Sequence, residues 1–357
     1  MGIIIRQSMK GTFASYLGSA LGFVNILILF PLFLSTEEIG LYRVLLDAAS
    51  LFVIFSMLCT TDSTTKFFPY FKDQAKKHNG FLTAVLLVAL IGLSAFVLIY
   101  WAFNDPLLAR FAERSPLVLE YRFYVIPLTG LILLYNVFAS YCRSLLRIVI
   151  PKLIREVLIR ALLAIGTGLY YIDVLSLQEL ILWIIGMYAV ALLVLILYVK
   201  QLGHLFLQPN FSIFKSDLRK EMSTFTLFTI LGSGSGIIVS KIDTIMLGSM
   251  EGLNAAGVYG VAFYLGAIIQ MPRRTLAEIS SPIIATAFKE DNLDKVQELY
   301  QKTSLNLLII GAFLFTGIWT NIDSVLQLIP NSENFLDGKY VVLYIGLAKL
   351  IDMGFGL

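Results

Sequence analysis

The sequence predicts an all-α integral membrane protein with about ten transmembrane helices, and its composition and apolar runs support this. Hydrophobic residues make up 58% of the 357 residues and charged residues 14%, with a mean hydropathy of +0.82. Soluble domains usually carry about 25% charged residues, so this chain could not cover a water-facing surface. The apolar runs are continuous, as in Leu180 to Val199, whereas strands of a membrane barrel alternate apolar and polar residues.

Ten helices are predicted in order along the chain, because charged residues, Pro or Gly separate ten apolar runs that suit a bilayer core of about 30 Å. The first run is too long for a signal-peptide core and predicts a retained helix. Residues 287–301 are expected to form an amphipathic helix on the membrane surface. The predicted spans are residues 12–34, 41–66, 81–103, 119–142, 153–172, 179–200, 223–248, 254–276, 303–325 and 339–357.

The positions of Lys and Arg predict the orientation of these helices. With the N-terminus in the cytoplasm, 19 of the 27 cations fall in loops on that side, 5 fall in external loops and 3 fall inside spans. Loops on the cytoplasmic side of membrane proteins are enriched in Lys and Arg. The sequence therefore predicts a cytoplasmic N-terminus.

An internal repeat links the first and seventh helices. Gly40-Leu41-Tyr42 follows the first helix, and Gly257-Val258-Tyr259 follows the seventh, 217 residues later. The same offset relates Phe71-Lys72-Asp73 to Phe288-Lys289-Glu290. Six helices separate the copies, so both copies have the same orientation. Parallel repeats of this kind build transporters with two lobes around a central cavity.

The repeat divides the chain into two lobes. We predict a first lobe of six helices at residues 1–200, a cytoplasmic linker at 201–222, and a second lobe with four helices at 223–357. An equal second copy would continue past Leu357, so the second lobe is expected to be incomplete.

Several segments together resemble one transporter family. They are Ser35 to Arg43, Lys241 to Gly248, Ala256 to Tyr259, Met271 to Arg274 and Ile279 to Pro282. In order and spacing they are similar to the oligosaccharide flippase and polysaccharide-export branch of the multidrug/oligosaccharidyl-lipid/polysaccharide exporter superfamily. This resemblance implies a MATE-like fold of 12 or 14 helices in two lobes, of which about ten are seen here.

The resemblance also implies a function and partners. Such proteins move lipid-linked diphosphate glycans across the bacterial inner membrane by alternating access, in pathways such as lipopolysaccharide synthesis. The implied partners are the lipid-linked glycan, membrane lipids, H⁺ or Na⁺ as a coupling ion, and glycan polymerase machinery. A cation-coupled multidrug exporter of the same fold stays open as an alternative, and so does a membrane glycan polymerase or ligase.

Charges within the spans are the candidate functional residues, because each costs at least about 2.5 kcal/mol to insert. Cations that line a cavity could hold a diphosphate, and carboxylates there could exchange a proton or Na⁺. Arg273 and Arg274 are expected to contact lipid headgroups. The candidates for cargo binding are Arg43, Arg160, Lys241 and Lys349, and those for ion coupling are Asp47, Asp62 and Asp243.

Helical spacing predicts ion pairs among these charges. Arg43 can pair with Asp47 and Glu156 with Arg160, each four residues apart, whereas Lys241 has no acidic residue at these distances. Lys349 and Asp352 lie three apart in the tenth helix.

Other features exclude several classes of function. No nucleotide-binding motif is present, and the net charge of +3 is too small to suggest nucleic acid. His78 and His204 are far apart in sequence, so neither a metal site nor a cofactor is predicted, and we predict that the protein is not an enzyme.

Cys59 and Cys142 are expected to be buried thiols. Gly232 and Gly236 have the spacing of closely packed helices.

Overall fold

The computed structural model describes residues 2–57, 60–208, 218–290 and 292–356, and no strand occurs in these ranges. The chain forms helices joined by short loops, in chain order and with π-helical and 3₁₀ segments between some of them. In the first part these are α1 Gly2–Phe23, a π-helical segment Val24–Leu29, α2 Phe30–Phe33, α3 Thr36–Met57, α4 Thr60–Phe71, α5 Phe81–Leu108, α6 Phe111–Arg114, α7 Pro116–Tyr121, α8 Val125–Ser144, α9 Val149–Leu153, a second π-helical segment Ile154–Leu158, α10 Ile159–Tyr171 and α11 Leu177–Gln201.

The second part continues the same pattern after the predicted linker. Its elements are α12 Leu218–Met250, α13 Leu253–Ile268, α14 Met271–Lys289, α15 Leu293–Thr320, α16 Ile322–Gln327, a 3₁₀ segment Ser332–Gly338 and α17 Lys339–Gly354.

Helices cover all ten predicted spans, and seven helices in the described ranges are long and apolar enough to cross a membrane. The other three predicted spans do not correspond to helices that are both long and apolar enough to cross a membrane, for the following reasons. The fifth carries three charged residues, at positions 155, 156 and 160. The eighth and tenth correspond to α13 and α17, which have 16 residues each. The chain is a multi-pass membrane protein.

Two local predictions are wrong. Residues 287–301 do not form a separate surface helix, because α15 runs without interruption from Leu293 to Thr320. The side chain of Asn292 caps its start by accepting a hydrogen bond from the Lys295 backbone N–H at 3.0 Å. The predicted span 254–276 is broken at residues 269–270, where α13 ends and α14 begins just before Pro272.

The larger core begins in the predicted first lobe and continues into the second part, where it includes Leu253 on α13 and Val342 on α17. Phe67, Phe68, Phe81 and Tyr141 are almost completely buried around α4, α5 and α8, and the ring of Phe68 contacts those of Phe81 and Tyr141. Cys142 is buried beside them, as predicted, whereas Cys59 lies outside the described residues. A smaller core in the second part joins Ile269 and partners on α15 and α17. The many exposed apolar side chains on the outer helices are those that a bilayer would cover.

We call the two ends of the helices the basic face and the opposite face. The basic face carries the connections at residues 72–80, 145–148 and 202–208 and the described residues 290 and 292. The opposite face carries the connections at 34–35, 109–115, 172–176 and 328–338. Alternating helix directions place the loops in these two groups.

Candidate functional site

The two repeat copies meet at the opposite face, where α3 crosses α13 at backbone distance. A Cβ atom on Gly40 would overlap the carbonyl oxygen of Leu253, and one on Gly257 would overlap the carbonyl oxygen of Thr36. Thr36 and Leu253 are 217 residues apart, as are Gly40 and Gly257. Each copy therefore makes the same contact with the other.

The side chains near this crossing follow the same offset. Arg43 Nη2 donates to the carbonyl oxygen of Gly260, its own counterpart 217 residues later, at 3.4 Å. A residue that contacts its own counterpart must lie near the axis that relates the two copies. The axis therefore passes close to Arg43 and Gly260.

Loops on the opposite face complete the symmetric contact. Ser115 Oγ donates to the carbonyl oxygen of Gly248 at 2.5 Å, and Asn331 Nδ2 donates to that of Pro31 at 2.7 Å. Pro31 and Gly248 are again 217 residues apart. Each loop thus satisfies a carbonyl at the end of the first helix of the other copy, and the predicted parallel repeat is confirmed.

An ion pair joins the two parts deeper in the molecule. Lys241 Nζ on α12 lies 2.6 Å from Asp47 Oδ1 on α3, and the Asp47 side chain is 5% exposed. The predicted pairing of Arg43 with Asp47 is wrong, because Asp47 points across the contact to α12. Asp243, two residues beyond Lys241, accepts a hydrogen bond from Tyr259 OH at 3.0 Å.

The remaining candidates lie elsewhere and do not form one cluster. Arg160 pairs with Glu156 at 2.7 Å, as predicted from their spacing, and also donates to the carbonyl oxygen of Gly18. Lys349 does not pair with Asp352 and instead lies 5.9 Å from the centre of the Phe263 ring. Asp62 is half-buried on α4.

The two predicted headgroup contacts differ from each other. Arg273 already has two partners within the second part. Its Nη1 lies 3.1 Å from Asp352 Oδ2, and its Nε donates to the carbonyl oxygen of Gly356 at 2.9 Å. Arg274 is exposed.

The predicted close packing at Gly232 and Gly236 is wrong, because a Cβ at either glycine would meet no atom within 4 Å.

A polar cavity of about 270 Å³ lies around Arg160, mainly within the predicted first lobe. Asn25 is nearly completely buried in its wall, where its Nδ2 donates to the carbonyl oxygen of Arg160 at 2.8 Å. Its Oδ1 has no hydrogen-bond partner in the described structure. The polar lining residues are Asn25, Tyr42, Ser50, Tyr135, Asn136, Arg155, Glu156, Arg160, Tyr188 and Tyr264.

A second cleft of about 450 Å³ continues from this cavity toward the basic face. The two share Tyr135, Arg155 and Glu156 as walls, and the second cleft adds Arg143 and Lys152. Together they form a path that we call the basic cleft. Among the described residues, its walls contain four cations and one carboxylate, and that carboxylate pairs with Arg160.

Both walls of the basic cleft contain a π-helical segment, Val24–Leu29 on one side and Ile154–Leu158 on the other. Such segments are rare and occur often at functional sites. Asn25 lies in the first segment and Arg155 in the second, and both line the cleft. Sequence reasoning missed Arg143, Lys152 and Arg155 because it counted them as loop cations. The closeness of Lys152 and Arg155 to Glu156 and Arg160 along the chain was a signal that could have revealed these two, whereas Arg143 lies at the end of α8.

Comparison with known proteins agrees with this architecture. The family described as "Polysaccharide biosynthesis protein" matches residues 8–288, well over half of the chain. Among solved structures, a multidrug resistance MATE family transporter of the MOP superfamily, in an inward-facing conformation, aligns with 96% of this chain and 81% of its own. The TM-score is 0.65 with 16% identical residues, so this likeness shows the fold alone. No curated protein matches at a significant level.

Proposed function

The chain belongs to the polysaccharide biosynthesis protein family, and on this premise we propose that it flips a lipid-linked diphosphate glycan across a bacterial inner membrane by alternating access. In this proposal the N-terminus is cytoplasmic, and the basic cleft opens toward the side on which the lipid-linked precursor is loaded. The protein acts as a transporter and not as an enzyme.

The basic cleft is the observation that carries the proposal. A diphosphate needs fixed positive charge, and guanidinium groups bind phosphate oxygens through paired N–H donors. Arg143, Lys152 and Arg155 line the cleft toward the basic face, where the diphosphate of a membrane-anchored lipid would arrive. Arg155 is exposed and forms no ion pair within the described part of the chain, so its charge is available to cargo.

The deeper cavity suits the glycan. It combines amide groups of Asn25 and Asn136 with the phenol groups of Tyr42 and Tyr188. The unpaired Oδ1 of Asn25 needs a donor, since a buried acceptor without a partner costs about 1–3 kcal/mol. Sugar hydroxyls are donors of the right kind. We therefore place the diphosphate at Arg155 and the first sugar near Asn25, with Arg160 between them.

The other candidate charges receive different roles in this proposal. Arg43 and Lys241 hold the two repeat copies together and do not contact cargo, because both already have partners across the contact. Asp47 and Asp243 are the proposed carboxylates for H⁺ or Na⁺ coupling, with Asp62 a third candidate. Separation of the copies would expose Asp47, whereas Asp243 is already exposed beside Tyr259. Lys349 stays a candidate for cargo, and Arg274 for lipid headgroups. Contact with glycan polymerase machinery is proposed from the family alone.

A drug exporter of the same fold is the nearest alternative. Exported drugs of that kind are often cationic, and a cleft with four cations and one neutralised carboxylate would repel them. The cleft therefore favours an anionic cargo.

The test is a flipping assay with purified protein in liposomes that contain a fluorescent lipid diphosphate oligosaccharide. Arg155→Gln is expected to slow flipping about tenfold or more, because a charge-assisted bond to phosphate contributes about 1.5–3 kcal/mol. Lys302→Gln is the matched control, because Lys302 lies in an exposed ion pair with Glu298. This variant protein should flip the lipid at the wild-type rate. An Arg155→Gln protein with the wild-type rate, or a wild-type protein that moves only cationic drugs, would contradict the proposal.

A further inference from the structure

The only two histidines of the chain meet at the basic face, although 126 residues separate them. His78 Nε2 lies 3.0 Å from His204 Nδ1, and the rings are nearly parallel with centroids 5.2 Å apart. His78 is 2% exposed and packs edge-on against Phe68 and Phe206. One imidazole N–H therefore donates to the lone pair of the other inside an aromatic enclosure.

This contact fastens the start of the predicted linker to the helix bundle. Residues 202–208 follow α11 and begin the linker of residues 201–222. Besides the histidine pair, Tyr141 OH donates to the carbonyl oxygen of His204 at 3.0 Å, and Thr83 Oγ1 donates to that of Phe206 at 3.4 Å. Among the described residues, these three contacts made by side chains hold the segment to the bundle, and of the three the histidine pair is the one that can change with pH near neutrality.

The backbone around His78 is strained. Lys77, His78 and Asn79 all adopt φ of 52°, and Gly80 follows with φ of 73°. Residues with a Cβ rarely adopt the left-handed conformation, and three in succession persist only when their surroundings hold them. Contact with His204 is part of what holds this turn. A loss of the pair would therefore loosen both segments together.

The charged groups that face the pair are Lys72 and Asp73 after α4, and Arg147 after α8. Burial lowers the pKa of His204, and the cations of Lys72 and Arg147 lower it further. A lowered pKa means that the docked state favours the neutral ring. The contact therefore contributes its full stability above the ordinary histidine pKa of about 6.5 and loses it as the pH falls below that value.

We propose that His78 and His204 form a pH-operated latch that fastens the linker to the helix bundle and releases it when both rings are protonated. One added proton leaves a hydrogen bond between an imidazolium and a neutral imidazole. A second proton removes the acceptor and places two cations at contact distance, beside Lys72 and Arg147. Release would detach residues 202–208 from the helix bundle.

The test uses the full chain labelled with ¹⁵N-histidine, whose imidazole signals arise from only two residues. We expect the two rings to titrate as a coupled pair, with the second protonation below the ordinary histidine pKa of about 6.5. Over the same interval, amide exchange protection of residues 204–208, corrected for the intrinsic pH dependence of exchange, should fall about tenfold per pH unit once release begins.

Two variants separate the latch from a static contact. His204→Gln keeps a neutral hydrogen-bonding side chain, so its linker protection should not change between pH 5 and 8. Tyr141→Phe removes a contact that does not titrate, so protection should fall at every pH while the pH slope stays. Independent titration of the two rings near pH 6.5, a wild-type linker insensitive to pH, or the wild-type slope in His204→Gln would each overturn the proposal. None of these outcomes depends on what the protein transports.

Discussion

The two copies of the repeat share their backbone contacts but differ in the chemistry of their side chains. Gly40 and Gly257 make the same contact with the opposite backbone. Seven residues further along each helix, however, Asp47 pairs with Lys241, whereas its counterpart Tyr264 donates to the carbonyl oxygen of Ser19 at 3.2 Å and lines the basic cleft. Close backbone approach leaves room only for glycine, whereas the neighbouring positions were free to diverge.

This difference accompanies the position of the basic cleft, which lies mainly in the predicted first lobe. Around Tyr264 the first and fifth helices present Asn25, Arg155 and Arg160. Around Asp47 the partner helix presents a single lysine, which the carboxylate neutralises. A symmetric frame thus carries an asymmetric site, and the following substitutions test the two parts of this comparison separately.

The largest expected effect is at the glycine crossing. Gly40→Ala and Gly257→Ala should each destabilise the protein by about 3 kcal/mol or more, because the added Cβ meets backbone that cannot rotate away. Thermal unfolding in detergent measures the effect. Gly236→Ala is the control, because a Cβ at this position meets no atom within 4 Å. This variant should have an unchanged or slightly raised melting temperature. A large loss of stability in only one of the two crossing variants would show that the two repeat copies do not make equivalent contacts.

An intermediate effect is expected at the diverged positions. Asp47→Asn leaves Lys241 without its partner and should destabilise by about 2 kcal/mol, at the low side for a broken buried pair because Lys241 is about one-third exposed. Tyr264→Phe loses one hydrogen bond and should cost about 1 kcal/mol. The free energies of unfolding of the two single variants measure the asymmetry. The double variant Asp47→Asn/Lys241→Gln is expected to regain part of the stability that Asp47→Asn loses. Equal losses at both positions would argue against it.

The smallest effect is expected at the symmetric loop contacts. Ser115→Ala and Asn331→Ala each remove one donor to a helix-end carbonyl and should each cost about 1 kcal/mol. The two losses should agree within about 0.5 kcal/mol and should add in the double variant. Unfolding midpoints in denaturant give both quantities. Unequal losses would show that the symmetry of the contact is geometric but not energetic.

Much of the fold was predictable from the sequence, because apolar length and helical spacing are local properties. The ten spans, the 217-residue offset and the Glu156–Arg160 pair all follow from residues close together or from a repeated motif. The break between α13 and α14 and the continuous α15 were not predicted, since charged residues next to Pro272 and Leu293 suit either a loop or a helix end. The predicted linker 201–222 and lobe boundaries stay predictions.

The sequence by itself determined that the chain is a helical membrane protein with a parallel repeat, because bilayer insertion demands long apolar helices whatever their neighbours are. Only the tertiary structure decided which charges meet. Asp47 pairs with Lys241 instead of Arg43, Arg155 faces the cleft beside Arg160, and His78 reaches His204 across 126 residues. Helical periodicity places a side chain on a face of its own helix, but the partner on that face depends on how the helices pack.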